Sequence, residues 1–251
     1  MTLVSVIMPY YNKRSFFKES IQSVFSQTYK NLEIIIIYDQ KDQDDLRYIK
    51  KITKNKKNVF IIKNNKNIGV ARSRNNGIKK SKGEFIAFID CDDIWKKNKI
   101  KDQLKFMISK DIKFSHTSYC LMNEQGKIFS TRNAKKKTSY NDLIKSCDIA
   151  LSSVILRREI IKEIKFPNLK TKEDYALWLK LSKKQSICGL KKILLLWRKT
   201  NKSLSSSVFQ KLCDGFRVYY IEEKFNFFYS LYRLIILSLF FLKKKTQKNY
   251  E

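Results

Sequence analysis

The sequence predicts an α/β fold: a doubly wound, mostly parallel, Rossmann-like sheet with a C-terminal helical extension. Three observations point there. Apolar, β-branched or aromatic runs alternate with helical stretches through residues 1–120. Several runs are apolar on successive residues, as strands buried on both faces are. With 251 residues, 43% hydrophobic and 30% charged, the chain can bury a real core and is too apolar for disorder.

Val4–Met8 is the first strand. No basic segment precedes its short apolar run, so it is not read as a signal peptide, and the protein is expected to work in the cytoplasm. Ser15–Gln27 follows as a helix, with Phe16, Ile21, Val24 and Phe25 near helical spacing. Leu32–Ile37, Val59–Ile62, Phe85–Ile89 and Ile112–Ser118 are the next strands. Asp44–Thr53, Val70–Lys80 and Lys96–Ser109 are the helices between them, and such alternation winds a sheet on both sides. Gly126 marks a hairpin between Tyr119–Met122 and Lys127–Ser130. Ser152–Leu156 and Ile193–Trp197 read as strands; Thr171–Leu181 and Leu204–Glu223 read as helices. Phe225–Leu242 is strongly apolar and runs into Lys243-Lys244-Lys245.

Lys and Arg total 53 against 23 Asp and Glu, a net charge of +30. Such an excess calls for a polyanion, an anionic surface or an anionic substrate. Nucleic acid is not the expected partner: Lys outnumbers Arg 43 to 10, base readout favours Arg, and no nucleic-acid motif is present. A low-GC genome accounts for joint overuse of Lys, Asn and Ile; attraction to anionic lipid is the other reading. Five scattered Cys without C-x-x-C give neither a disulfide framework nor a zinc site. His116 is the only histidine, which leaves little room for a His-based triad and places it in the sheet or on a pocket wall.

In open α/β sheets, ligands bind beyond the carboxyl ends of the strands. Pro9-Tyr10-Tyr11-Asn12, Asp39 and Asp90-Cys91-Asp92-Asp93 all fall there. Three carboxylates in four residues repel unless a cation sits among them. Oxygen ligands without histidine suit Mg²⁺ or Mn²⁺; the alternative is a helix start at Asp92 or Asp93. Gly69 to Gly77 opens a helix bearing Arg72 and Arg74, suited to a phosphate or to plain solvation. Asp174, Leu177, Trp178 and Leu181 share a helix face, which puts Asp174 on the buried stripe and turns Glu173 elsewhere. Asp174 is then either a working carboxylate or part of a capping box with Thr171.

These clusters, in this order, resemble the family 2 glycosyltransferases, which have the GT-A fold. Ser5 to Asn12 is similar to the family's opening strand and nucleotide loop, and Ser20 to Tyr29 to its first helix. Arg74-Asn75 resembles its Arg-Asn pair. Phe88 to Asp93 resembles its metal-binding D-x-D stretch, and Glu173-Asp174-Tyr175-x-Leu177-Trp178 its ED segment. After the second strand the family has two Asp and a Gly-Ser-Thr-Asp turn, where this chain has Tyr38-Asp39-Gln40-Lys41-Asp42.

The resemblance covers residues 3–205. It implies a GT-A domain over 1–205, with a nucleotide-sugar half (1–120) and an acceptor half (121–205), then an extension over 206–251. It implies inverting transfer from a nucleotide sugar, a UDP-hexose, to a glycan hydroxyl. Asp174 would be the base; Asp92, with Asp90 or Asp93, would hold Mn²⁺ or Mg²⁺. Pro9, Tyr11 and Asp39 would hold the nucleoside. Arg74 would meet the diphosphate or the acids near it. A nucleotidyltransferase making the activated sugar is one rival, although the Gly-rich loop it needs after the first strand is absent. A non-catalytic basic adaptor is the other, and it leaves the ordered acids unexplained.

The apolar tail is marginal for crossing a membrane, which takes about twenty apolar residues. A helix lying in the interface of the inner leaflet is expected instead, with Arg233 snorkelling and Lys243–Lys245 on anionic lipid. The alternative is a helix packed on the catalytic domain or a partner subunit. A peripheral position would put the site beside a lipid-linked acceptor in bacterial surface polysaccharide assembly.

Overall fold

The protein is described by a computed structural model covering residues 2–162, 165–200 and 207–246, with side chains to Lys243. Strand β1 (Val4–Tyr10) is buried along its length. Val4, Val6, Met8 and Tyr10 face one core and Ile7 the other, as the two-residue period of a strand requires. In chain order follow α1 (Arg14–Phe25), β2 (Leu32–Tyr38), α2 (Gln43–Thr53), β3 (Val59–Lys63), α3 (Val70–Lys80) and β4 (Phe85–Phe88). Next come β5 (Ile94–Trp95), α4 (Lys99–Ser109), β6 (Phe114–Met122), β7 (Ile128–Arg132), β8 (Lys137–Thr138) and α5 (Tyr140–Leu143). Then β9 (Ile155–Arg157), α6 (Arg158–Ile161), α7 (Glu173–Ser182), β10 (Ile187–Arg198), α8 (Val208–Arg217) and α9 (Phe227–Thr246) complete the chain.

The strands form one sheet in the order β3-β2-β1-β4-β9-β6-β10-β5, with β7 beside β6 and β8 beside β10. Parallel pairing joins β3, β2, β1 and β4, and again β6 and β10. The longest ladders, β1–β2, β2–β3 and β6–β10, are parallel; the antiparallel contacts of β5, β7, β8 and β9 have two to four register pairs each. The expected doubly wound, mostly parallel sheet is therefore present. One core packs α1, α2 and α4 on one face; the other packs α3 and α7 with Val218 and Tyr219.

Local expectations shift in four places. Of the strand expected at Ser152–Leu156, Leu151–Ser153 forms a 3₁₀ turn and only Ile155 onward pairs as β9. Ile112–Ser118 and Tyr119–Met122 merge into one strand, β6. Ile94–Trp95 is a strand paired to Leu195–Leu196 of β10, so Asp92 and Asp93 start no helix. Leu204–Glu223 is helical from Val208, with residues 201–206 outside the described part, and ends in a π turn over Val218–Glu222.

Helix α9 has an inner stripe of Ser230, Arg233 and Leu237, all buried. Arg233 therefore does not snorkel: it sits on the packed side with its guanidinium 5.8 Å from the Tyr229 ring centroid. The outer stripe is open, with Phe228 81%, Phe241 62% and Ile235 51% exposed. Among the described residues no helix is long and apolar enough to cross a membrane.

Candidate active site

The carboxyl ends of β1, β2 and β4 put the first three polar clusters on one rim. Tyr10 is buried, stacks on Tyr38 and donates its hydroxyl to Asp45 Oδ2 at 2.7 Å. Tyr11 projects from the rim, 44% exposed, and Pro9 is half-buried. Asn12 takes φ 48°, a left-handed turn that Asn tolerates, and donates its backbone N–H to Gln40 Oε1 at 2.7 Å.

Asp39 lies on the same rim. Its Oδ1 accepts from Asn64 Nδ2 at 2.8 Å and the Ile68 N–H at 2.9 Å; its Oδ2 accepts from the Gly69 N–H at 3.0 Å. This carboxylate thus clamps the loop that opens α3. These three donors leave acceptor capacity on Oδ2, so the carboxylate that holds this loop also has room for the expected nucleoside contact. Only the residue's position was legible in the sequence; its partners come from the β3–α3 loop.

The D-x-D acids divide. Asp90 Oδ1 accepts from Arg74 Nη2 at 2.7 Å, with its side chain 33% exposed. Asp92 Oδ2 accepts from Lys13 Nζ at 2.6 Å. Asp93 points into the core, where Oδ1 accepts from the Arg198 N–H at 2.9 Å and Oδ2 from the Ser152 hydroxyl. Burial, then the charges of Asp92 and Asp90, push the Asp93 carboxyl well above its ordinary range. Both oxygens of Asp93 serve the protein, so the expected metal role for Asp93 is corrected to an internal brace. Among the described residues no three His, Cys, Asp or Glu side chains are gathered to hold a metal ion.

Asp92 and Asp90 still fit a hard cation. Both are oxygen donors at a strand end, and Mg²⁺-type ions are held by one or two carboxylates plus substrate phosphates. Burial and then Asp90 push the Asp92 carboxyl upward against the Lys13 ammonium, which already places one positive charge 2.6 Å from it. Sequence reasoning missed Lys13, Ser152 and Arg198. The guanidinium of Arg198 spans the Asp92 carbonyl at 2.9 Å, the Glu124 carbonyl at 2.8 Å and Glu19.

Arg74 is buried and joins two clusters. Nη2 donates to Asp90 and Nη1 to Glu173, while the guanidinium lies 5.6 Å from the Phe166 ring centroid. Of the two partners expected for Arg74, the structure thus supplies the acids. Glu173 is the more buried acid of its pair, opposite to the helix-face expectation. The reason is that α7 is buried nearly all round, so its period gives no direction. Burial pushes the Glu173 carboxyl up to about 7 against the pull of Arg74.

Asp174 is partly exposed, and its Oδ1 accepts from the Tyr175 N–H at 2.7 Å. Burial raises its carboxyl above the ordinary range, opposed first by Arg74. The capping-box alternative fails. The residue before α7 is Lys172, left-handed with φ 60° and no side-chain cap, while Thr171 donates its N–H and hydroxyl to Asp214. His116 is buried in β6, where neither ring nitrogen has a partner among the described residues, and burial lowers it to about 4.

WfgD of Escherichia coli, a UDP-Glc:α-D-GlcNAc-diphosphoundecaprenol β-1,3-glucosyltransferase, is 34% identical over 243 residues, covering 94% of this chain and 94% of WfgD. S. aureus TarS 1–349 with UDP-GlcNAc superposes with TM-score 0.73 at 21% identity, over 93% of this chain and 70% of TarS. The mannosyltransferase PcManGT of Pyrobaculum calidifontis, with GDP-Man and Mn²⁺, gives TM-score 0.69 at 12% identity, over 92% and 69%. The family described as Glycosyl transferase family 2 matches residues 5–165. With a GT-A-type α/β fold, the D-x-D and ED acids on one rim and a family match over more than half its length, the chain belongs to the family 2 glycosyltransferases.

Proposed function

We propose that this chain transfers a hexose, with inversion, from a UDP-sugar to a hydroxyl of a lipid-linked glycan in bacterial surface polysaccharide synthesis. The observation that carries the reading is Arg74, whose one guanidinium ties Asp90 of the D-x-D stretch to Glu173 beside Asp174. That bridge fixes the donor end of the site against the acceptor end. WfgD, which acts from UDP-Glc on a diphosphoundecaprenol acceptor, supports the donor and acceptor classes.

Asp174 takes the proton of the attacking hydroxyl as general base. Glu173 and Arg74 position it. Tyr11 and Pro9 form the nucleoside side of the rim. Asp92, with Asp90, would hold Mn²⁺ or Mg²⁺, which supplies positive charge against the departing diphosphate. The Lys13 ammonium is a fixed cation at the same place. Holding charges in place before the reaction is what lowers the barrier. The open apolar stripe of α9 belongs on the inner face of the membrane, as a peripheral contact.

The test is incubation with a panel of UDP- and GDP-sugars, GlcNAc-diphosphoundecaprenol and Mn²⁺. Release of UDP with one sugar, and a product of inverted anomeric configuration by NMR, is expected. Release of a sugar phosphate, or a retained configuration, would overturn the reading.

A further inference from the structure

Tyr10, Asn12 and Arg14 alternate along the chain from the end of β1 into α1, and all three lead to one carboxylate, Asp45 of α2. The Tyr10 hydroxyl donates to Asp45 Oδ2 at 2.7 Å, and Arg14 Nη1 donates to Oδ1 at 2.9 Å. Asn12 reaches Asp45 through Gln40. The Asn12 N–H donates to Gln40 Oε1 at 2.7 Å, and Gln40 Nε2 donates to Asp45 Oδ2 at 3.0 Å. The Arg14 arm is weak, because that side chain is 54% exposed and water screens it. The Gln40 arm is stronger, since Gln40 and Asp45 are both buried.

Residues 11 and 13, which Asp45 does not hold, are the ones that reach the rim. Lys13 has its own anchors there, Asp92 Oδ2 at 2.6 Å and the Thr200 hydroxyl at 3.3 Å. Tyr11 is half exposed, and among the described hydrogen bonds none holds its side chain. The place of its ring is therefore set by the backbone on either side. Tyr10 is fixed by Asp45 and by stacking on Tyr38, with ring centroids 5.6 Å apart. Asn12, at φ 48°, is fixed by Gln40.

Gln40 suits this task by its polarity. A carboxylate only accepts and a backbone N–H only donates, so the group between them must donate at one end and accept at the other. A primary amide does both. Asp39 and Gln40, successive residues after β2, thus brace the loops on either side, the one opening α3 and the one leaving β1. Neither of the two Gln40 bonds goes to Arg74, Glu173 or Asp174. We propose that Gln40, backed by Asp45, is a positioning residue for the donor: through the Asn12 backbone it sets the Tyr11 ring against the nucleoside. The proposal rests on the nucleotide-sugar donor given above.

The probe is UDP, titrated by calorimetry with Mn²⁺ in excess, and the wild-type chain is expected to bind it. Gln40→Met keeps the length and removes both bonds, so UDP affinity should fall about five- to tenfold. In the transfer assay, donor KM should rise by a similar factor with kcat nearly unchanged, as loss of uniform binding requires. Gln40→Glu sets a second carboxylate against Asp45 and should bind UDP more weakly still. Adding Asp45→Asn to Gln40→Glu reverses the polarity of the pair. The new amide then donates to the new carboxylate, which still accepts from the Asn12 N–H. This double variant should recover most of the lost affinity. Unfolding midpoints in urea are read for every variant.

Unchanged UDP affinity in Gln40→Met and Gln40→Glu overturns the proposal while the donor reading stands. A double variant that binds no better than Gln40→Glu overturns it too. Affinity that merely follows the unfolding midpoint makes the pair a brace of the fold and has the same consequence, as does a fall in kcat at unchanged donor KM. A wild-type chain that binds no UDP fails the donor reading itself, and the proposal falls with it.

Discussion

Asp174 can take a proton only while ionised, and burial holds its carboxyl above the ordinary aspartate range. Transfer is therefore lost as pH falls through that raised value, and kcat/KM should show an acid limb above the pH expected of an exposed aspartate. Lys172 favours the ionised form, so Lys172→Asn should move the limb to higher pH. Asp174→Asn should cut transfer about 10²–10⁴-fold while UDP binding persists. Undiminished transfer would remove Asp174 from the mechanism. The neighbouring acids Asp92 and Asp93 give a sharper contrast. Asp93→Ala leaves the Arg198 N–H and the Ser152 hydroxyl without their acceptor. About 2–3 kcal/mol of stability should go with it, read from urea unfolding. Asp92→Asn should keep the fold and lose Mn²⁺-dependent UDP binding. If Asp93→Ala unfolds normally and only metal dependence is lost, the brace and the metal ligand have been assigned the wrong way round.

Helix α3 carries Arg74 to the site, and its distance from the sheet is set by Gly77. A Cβ there would meet Ile7 Cγ2 of β1 at 2.7 Å, so glycine lets the helix lie close over the strand. Gly77→Val should push α3 outward and destabilise the chain by about 1–3 kcal/mol. Transfer should fall further than stability explains, because Arg74 moves with the helix. Fully active Gly77→Val would break the link between helix placement and the Arg74 bridge. The same helices show what a sequence can reveal. The acid runs Asp90–Asp93 and Glu173–Asp174 were legible because each is local and follows a readable element. Lys13 and Arg198 were not, since they meet Asp92 and Asp93 across 79 and 105 residues of chain, through strand order alone. The face of α1 could be read in part, through Ile21 and Val24, because water wets its other side. Buried all round, α7 offered no such contrast, and Glu173 and Asp174 exchanged places.

At the scale of the whole molecule, the two halves of the sheet differ in how far pattern reached. Strands β1 to β4 are parallel apolar runs, buried except for the edge strand β3, and were located almost to the residue; β9 and β5 are three- and two-residue strands held by pairing partners far away. The C-terminus was legible as apolar but not as two-sided. Its inner stripe belongs to the core and its outer stripe meets solvent, so removing α9 would strip Leu237 and Ser230 from their packing. Substitutions on the outer face test membrane contact without that damage. Phe209 and Phe228 are 78% and 81% exposed, so replacing both by Ser should leave the unfolding midpoint nearly unchanged. If these helices lie in the interface, the double variant loses apolar insertion worth at least about tenfold in partitioning. The +30 net charge adds attraction to anionic lipid, which salt screens beyond about 10 Å at 0.1 M. Flotation with anionic liposomes should therefore be strong for the wild type at low salt, weaker at high salt and weaker on neutral vesicles. The double variant should float poorly under every condition. Equal flotation of both proteins would assign membrane binding to charge alone and leave the apolar face of α8 and α9 to a protein partner.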